Sequence, residues 1–238
     1  MAASSGNQLQ PPSPDRFAQR SAGRIFGGRE AAPTTPWPPK NFSNFVGSGL
    51  DFTRMSKKIL IITDDAGESL EIYYAQHRFR EAGYAAPIAA TQKKLLHAVI
   101  HDFEPDWNTY VERPGYRIQS DLAFNQVKPK DFTAVMLIGG RAPEFLRHDP
   151  KVIRLIQEFH RLDKWIFSIC HGVQILAAAG LLQGKKLTCY RNVRLEVEQA
   201  GGTWVDKQSV VDGRLISSQT WESHPEFYRD IFTQLAKA

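Results

Sequence analysis

Cys170 is the residue through which this sequence could do most. It lies in KWIFSICHGVQILAAAGLL (164–182), between an apolar run from Trp165 to Ile169 and a segment with helical spacing at Val173, Ile175, Leu176 and Ala179. The run has the length and β-rich composition of a buried strand, so Cys170 falls on a strand-to-helix turn. Such a turn strains the backbone of its central residue and requires small neighbours, here Ser168 and Gly172. This is a nucleophile elbow with sulfur in place of oxygen. At the start of the helix, unpaired backbone N–H groups and the helix dipole favour a thiolate. A lone cysteine is more often a buried structural residue, but the small-x-Cys-x-Gly turn favours the nucleophile.

A thiolate needs partners. His171 would act as a general acid/base or merely cap the helix. Its backbone N–H, with that of Gly140, would form an oxyanion hole. Gly139 and Gly140 follow the apolar run Thr133 to Ile138, and two glycines there let backbone N–H groups approach a ligand closely. A phosphate cradle would use the same feature, yet the usual GxGxxG or GKS context is missing. Glu68, if kept protonated by burial, would donate a hydrogen bond to the thiolate and shuttle its proton; otherwise it is a solvated acid near a helix start. Glu144 in GGRAPE would orient His171 or sit on the surface as a helix-start acid. Arg141 and His224 are candidates for substrate contact, with surface roles as the alternative.

The elements that must position these residues alternate. Lys57 to Thr63 reads as a buried strand ending in the polar turn Thr63–Glu68, and a helix follows from Ser69 to about Ala82, closed by Gly83. A second strand is expected over Tyr84 to Thr91. Regularity then weakens through His97–Tyr116, where Pro105, Pro114 and Gly115 interrupt the chain, so an irregular excursion near the site is expected. The strand at 133–138 precedes a helix at Val152–Leu162. After the Cys170 helix come a short strand near Leu187–Tyr190 and a helix near Val193–Ala200. A hairpin turning on Asp212-Gly213 and a closing helix from about Pro225 to Lys237 complete the chain. Alternating strands and helices imply a mostly parallel sheet covered on both faces, with chemistry beyond the carboxyl ends of its strands. Three clusters follow three of the strands: Asp64–Glu68, Gly139–Glu144 and Cys170–His171.

Composition narrows the class. Cys170 and Cys189 are the only cysteines and give neither a disulfide framework nor metal-ligand spacing, so a reducing, cytoplasmic setting is expected and no metal site. No apolar run approaches the roughly 18 residues of a membrane span, so no membrane partner is expected. The net charge is +5, but residues 1–54 hold six basic and three acidic side chains, which leaves +2 for the rest and argues against nucleic acid. Residues 1–54 are rich in Pro, Ser and Arg and are read as a disordered extension: a tail, a misassigned start before Met55, or a transit peptide that would imply organellar import. Residues 55–238 form the expected domain.

SICHG at 168–172, GGRAPE at 139–144 and AGESLE at 66–71 together resemble the ThiJ/PfpI family, which is related to the class I glutamine amidotransferases. The resemblance covers Met55 to Ala238 and implies a flavodoxin-like α/β/α sandwich. Carried onto this sequence, it implies a Cys170 nucleophile, a Glu68 carboxyl hydrogen-bonded to it, and His171 beside it. Glu144 would reach His171, in some family members from a neighbouring subunit. AVIHDFEPDWNTYVERPGY at 98–116, LTCY at 187–190, GGTW at 201–204 and HPEF at 224–227 resemble the plant members with glyoxalase III activity. Those carry two domain copies, so a homodimer or higher homo-oligomer is implied for this single copy. Ser223 stands where that group is expected to have glycine before the histidine. His224-Pro225-Glu226 has the His-x-Glu spacing of a true amidotransferase but reads as the start of the last helix.

What this resemblance implies is a cofactor-independent enzyme acting on small reactive aldehydes such as methylglyoxal through a Cys170 hemithioacetal, with possible deglycase activity. Two rivals use the same cysteine. One is a peptidase or amidase built on Cys170, His171 and Glu144; the other is a redox sensor or chaperone in which Cys170 is oxidised beside Glu68.

Overall fold

The computed structural model describes residues 57–237, so the expected extension at 1–54 lies outside the described residues. In chain order the elements are β1 (Ile59–Ile62), α1 (Ser69–Glu81), β2 (Ile88–Ala90), β3 (Leu95–Asp102), β4 (Val111–Gln119), β5 (Leu122–Ala123), β6 (Ala134–Leu137), α2 (Ala142–Leu146), α3 (Pro150–Arg161), β7 (Trp165–Ile169), α4 (Val173–Ala178), β8 (Lys186–Leu187), α5 (Arg194–Gln199), β9 (Thr203–Trp204), β10 (Ser209–Asp212), β11 (Leu215–Ser218) and α6 (His224–Leu235). Seven strands form one sheet in the order β10-β11-β7-β6-β1-β2-β5. All neighbours in it are parallel except β10 against β11.

The apolar runs explain the centre of this sheet. Every residue of β1, β6 and β7 is buried, as required of parallel strands covered by helices on both faces. α1 and α6 pack together, with Phe79 against Phe167, Tyr228 and Phe232. α3 shows how its sequence makes a helix: Asp149 caps the Lys151 N–H at 2.8 Å, Pro150 opens the first turn, and Val152, Ile156 and Phe159 form the buried stripe. Burying each of these large side chains contributes about 1.5–3 kcal/mol. The sheet is thus the mostly parallel, flavodoxin-like one expected.

The stretch read as an irregular excursion is instead an antiparallel ribbon of β3 and β4, with a register shift between His97 and Val99. Pro114 sits opposite Val99 beside that shift, and a two-stranded ribbon tolerates a residue that cannot donate to the ladder. The ribbon is anchored to the turn after β1 by Ala66 N–H to His97 O at 2.7 Å and Val99 N–H to Gly67 O at 2.9 Å. Two other strands are shorter than expected, β2 at Ile88–Ala90 and β8 at Lys186–Leu187. Because β7, β6 and β1 are adjacent, the turns after them converge at one sheet edge. Chain direction along the sheet reverses between β6 and β1, the place where α/β sheets open a crevice. Among the described residues no helix is long and apolar enough to cross a membrane.

Candidate active site

Cys170 follows β7 directly, in a single 3-10 turn that leads into α4. Its φ of 57° is in the left-handed region, which a residue other than glycine enters only under constraint from its surroundings. The elbow geometry is therefore present. Sγ lies 3.2 Å from His171 Nδ1, and the backbone N–H groups of His171 and Gly140 face it and favour its anion. These are the two donors expected of an oxyanion hole. Gly140 has a φ of 74° and touches the β1 turn so closely that a Cβ would lie 2.5 Å from Glu68 N. Only glycine fits there.

The carboxyl beside the sulfur is Glu71, not Glu68. Glu71 is buried in the first turn of α1 beside Cys170, and its Oε2 accepts the Gly139 N–H at 2.7 Å. Glu68 is the N-cap one turn earlier: its Oε2 accepts the Glu71 N–H at 2.8 Å. The physical reason is helical phase. Glu71, Ala75 and Phe79 form one buried stripe, whereas a cap residue turns its side chain back along the helix end. Gly139 is corrected too, since its N–H serves the Glu71 carboxylate rather than the oxyanion. A Cβ on Gly139 would lie 2.5 Å from Cys170 Cβ and 2.8 Å from Glu71 Oε2.

Other expected residues are distributed differently. Glu144 lies exposed in the first turn of α2, and among the described residues its side chain makes no hydrogen bond or ion pair with His171. Arg141 is held by Glu112, which accepts from Nε at 2.6 Å and from one Nη at 2.8 Å. His224 belongs to a separate cluster, stacked on Tyr74 at 4.5 Å and edge-on to Tyr228. Ser223 caps the turn before α6 and donates to Gln208.

The ribbon supplies residues that periodicity did not single out. His101 is 2% exposed, stacks on Tyr110 at 3.7 Å, and shares Nε2 with Glu112 at 2.9 Å. Tyr110 and Tyr190 pack against His171 at 5.8 and 5.3 Å, and Cys170 beside it is 5% exposed. Threonine and asparagine hold the Tyr190 hydroxyl, through Thr109 at 3.1 Å and Asn192 at 2.9 Å. A signal for Glu71 existed in its i, i+4 spacing to Ala75; for His101 and Tyr110 it was only their place in the 98–116 stretch expected near the site, because the ribbon reaches the site through tertiary contacts.

Electrostatics follow from this burial. Burial, and then the charge of Glu68, raise Glu71 well above the usual carboxylate range, which favours its protonated form. Burial pushes the Cys170 thiol up and an ionised Glu71 would push it further, while the His171 and Gly140 amides pull it down. Protonation of Glu71 removes the repulsion and supplies a donor. His171 is held at about 4 by burial and then by nearby His101, so its imidazole is neutral. The site is a thiol between a neutral carboxylic acid and two amides, without a thiolate–imidazolium pair.

Glu68 gives a stability prediction. Burial raises it to about 7, against the pull of the Glu71, His101 and Leu70 amides. From pH about 4.5 to about 7 the native chain holds a proton that the unfolded chain releases, so this contribution is full below that window and is lost as pH rises through it. Over the window, Glu68→Gln should gain about 3 kcal/mol relative to wild type in urea unfolding. The depressed histidines His171 and His224 slope the other way in both proteins and cancel in the difference. Parallel stability curves for the two proteins would refute the assignment.

A protein-family model described as the DJ-1/PfpI family matches residues 57–234. Protein DJ-1 homolog D of Arabidopsis thaliana is 34% identical over 219 residues, covering 89% of this chain and 56% of that protein. The chain thus spans just over half the length of that plant relative. Deglycase TK1284 of Thermococcus kodakarensis is 37% identical over 162 residues, 68% of this chain and 89% of its own. Among solved structures, Drosophila melanogaster DJ-1beta superposes with a TM-score of 0.65 at 26% identity, covering 77% of this chain and 92% of that one.

Proposed function

The chain belongs to the DJ-1/PfpI family, and from that membership together with its closed cysteine site we propose that it is a cofactor-independent glyoxalase III-type enzyme acting on methylglyoxal and related small aldehydes. The observation that carries this reading is the setting of Cys170. Its sulfur lies among a carboxyl raised toward its protonated form, two backbone amides and a neutral imidazole flanked by Tyr110 and Tyr190, and the residue is 5% exposed. Such a site admits a small carbonyl compound more readily than a peptide. A neutral His171 also suits addition to an aldehyde better than protonation of a leaving amine.

Each step then has a residue. The Cys170 thiol passes its proton to the neutral His171 Nδ1 as the sulfur adds to the aldehyde carbon, and the new oxyanion, facing the Gly140 and His171 N–H groups, takes the Glu71 proton, giving a hemithioacetal. Glu71, now a carboxylate, removes the proton from the former aldehyde carbon and returns it to the adjacent carbon; His171 gives its proton to the oxygen of that carbon, and Glu71 takes the hydroxyl proton as the thioester carbonyl forms, which restores both groups. The product of that isomerisation is a lactoyl thioester on Cys170. Water then cleaves the C–S bond, releasing lactate and the thiol. The same nucleophile would attack early carbonyl adducts of amines, which agrees with the deglycase name of the archaeal relative.

The test is lactate formed from methylglyoxal by the purified full chain without glutathione or added metal. Turnover is expected. A folded chain that makes no lactate, yet releases new amino termini from unfolded protein, would replace this reading with amide hydrolysis.

A further inference from the structure

The reaction proposed above needs two different proton movements, and one side chain at each end of the site suits each of them. Glu71 and His171 Nδ1 both meet Sγ directly, which places them at the isomerisation. Hydrolysis of the thioester additionally needs a base for an incoming water molecule, on the side not filled by those groups.

His101 has the required features. Glu112 is ionised, held below the usual carboxylate range chiefly by Arg141, so it can only accept. The proton between it and His101 therefore sits on Nε2, and Nδ1 carries a lone pair. Among the described residues that buried Nδ1 meets no hydrogen-bond partner. A buried polar atom without a protein partner is ordinarily satisfied by water, and water is the reagent of the second half-reaction. The ring meets His171 edge-on at 6.3 Å, and Tyr110 bridges the two. Its orientation is locked by stacking on Tyr110 and by Glu112, whose two oxygens are in turn fixed by the Arg141 fork.

We propose that His101 is the general base of the hydrolytic half-reaction, with Glu112 and Arg141 as the pair that positions it. His101 Nδ1 takes a proton from water as its oxygen attacks the lactoyl carbon. The C–S bond breaks, lactate leaves, and the proton passes from His101 to the departing sulfur, restoring the thiol. Arg141 thereby has a role other than substrate contact. This inference rests on the glyoxalase III-type reading and deepens it.

His101→Gln and Glu112→Gln in the full chain test it, assayed with methylglyoxal by steady-state lactate formation and by intact mass after rapid quenching. Both variants should form the lactoyl thioester normally and hydrolyse it slowly. Their kcat should fall about 100-fold, KM should fall with it, kcat/KM should stay near wild type, and the mass of one lactoyl group per chain should accumulate. In Glu112→Gln the acid limb of kcat should also move to lower pH. Burial lowers His101, and the charges of Glu112 and Glu144 counter it while that of Arg141 adds to it; removing Glu112 leaves Arg141 less opposed.

Unchanged kcat in folded variants overturns the proposal while lactate production by the wild type sustains the parent reading. Loss of kcat/KM without an adduct likewise overturns it, since that is the signature of a distorted site. A wild-type chain that makes no lactate overturns both. Glu112 is partly exposed on the ribbon, so its variant decides the matter if His101→Gln fails to fold.

Discussion

Cys170→Ala is expected to reduce lactate formation from methylglyoxal by at least about 10³-fold. In the proposed chemistry every covalent intermediate is attached to Cys170 Sγ, so its removal takes away the bond-forming atom rather than weakening a step. Cys170→Ser should be nearly as inactive, because a hydroxyl in the same place has no accessible anion at neutral pH and burial disfavours one further. Sγ makes its contacts at the end of β7, and the elbow backbone is held by its neighbours, so the variants should stay folded. Substantial turnover by folded Cys170→Ala would remove the mechanism altogether, including the roles given to Glu71 and His101.

The second large effect separates two glutamates one helical turn apart. Glu71→Gln should lower kcat by about 10²-fold, whereas Glu68→Gln should retain turnover within a few-fold. The amide at position 71 still accepts from the Gly139 N–H and still donates toward the sulfur, but cannot carry a proton from one carbon to the next. Since the charge of Glu71 is one cause holding the thiol up, the Cys170 titration should move to lower pH in Glu71→Gln, read from thiolate absorbance. Glu68→Gln keeps the cap on the Glu71 N–H and leaves the carboxyl at the sulfur in place. Loss of turnover in Glu68→Gln with retention in Glu71→Gln would reverse the assignment.

That pair of glutamates shows where the sequence stops being sufficient. AGESLE announces a polar turn, a helix start and two acids, and the stripe of Ile72, Ala75 and Phe79 reveals which side of the helix is buried. The choice between Glu68 and Glu71 depends on whether the first helical turn faces the Cys170 elbow, which is settled by how α1 packs against β1 and the ribbon strand β3. Gly139 makes the same point: two glycines after a strand promise close approach, but one donates to a carboxylate and the other to the sulfur.

The central strands, the elbow at Cys170, the placing of the Gly140 and His171 amides beside its sulfur, and the convergence of the strand ends at one sheet edge were determined by the sequence alone. Apolar runs and small residues state local conformation and burial, and the order of such units leaves a parallel sheet as the arrangement that buries them. Tertiary structure decided the carboxyl partner of the thiol, the separation of His224 from the site, and the entry of His101, Tyr110 and Glu112. Their partners come from ribbon pairing and from contacts such as Val99 N–H to Gly67 O at 2.9 Å, between segments far apart in the chain. A polar side chain acquires its chemistry from the groups that desolvate and orient it, and these are brought to it only when the chain has folded.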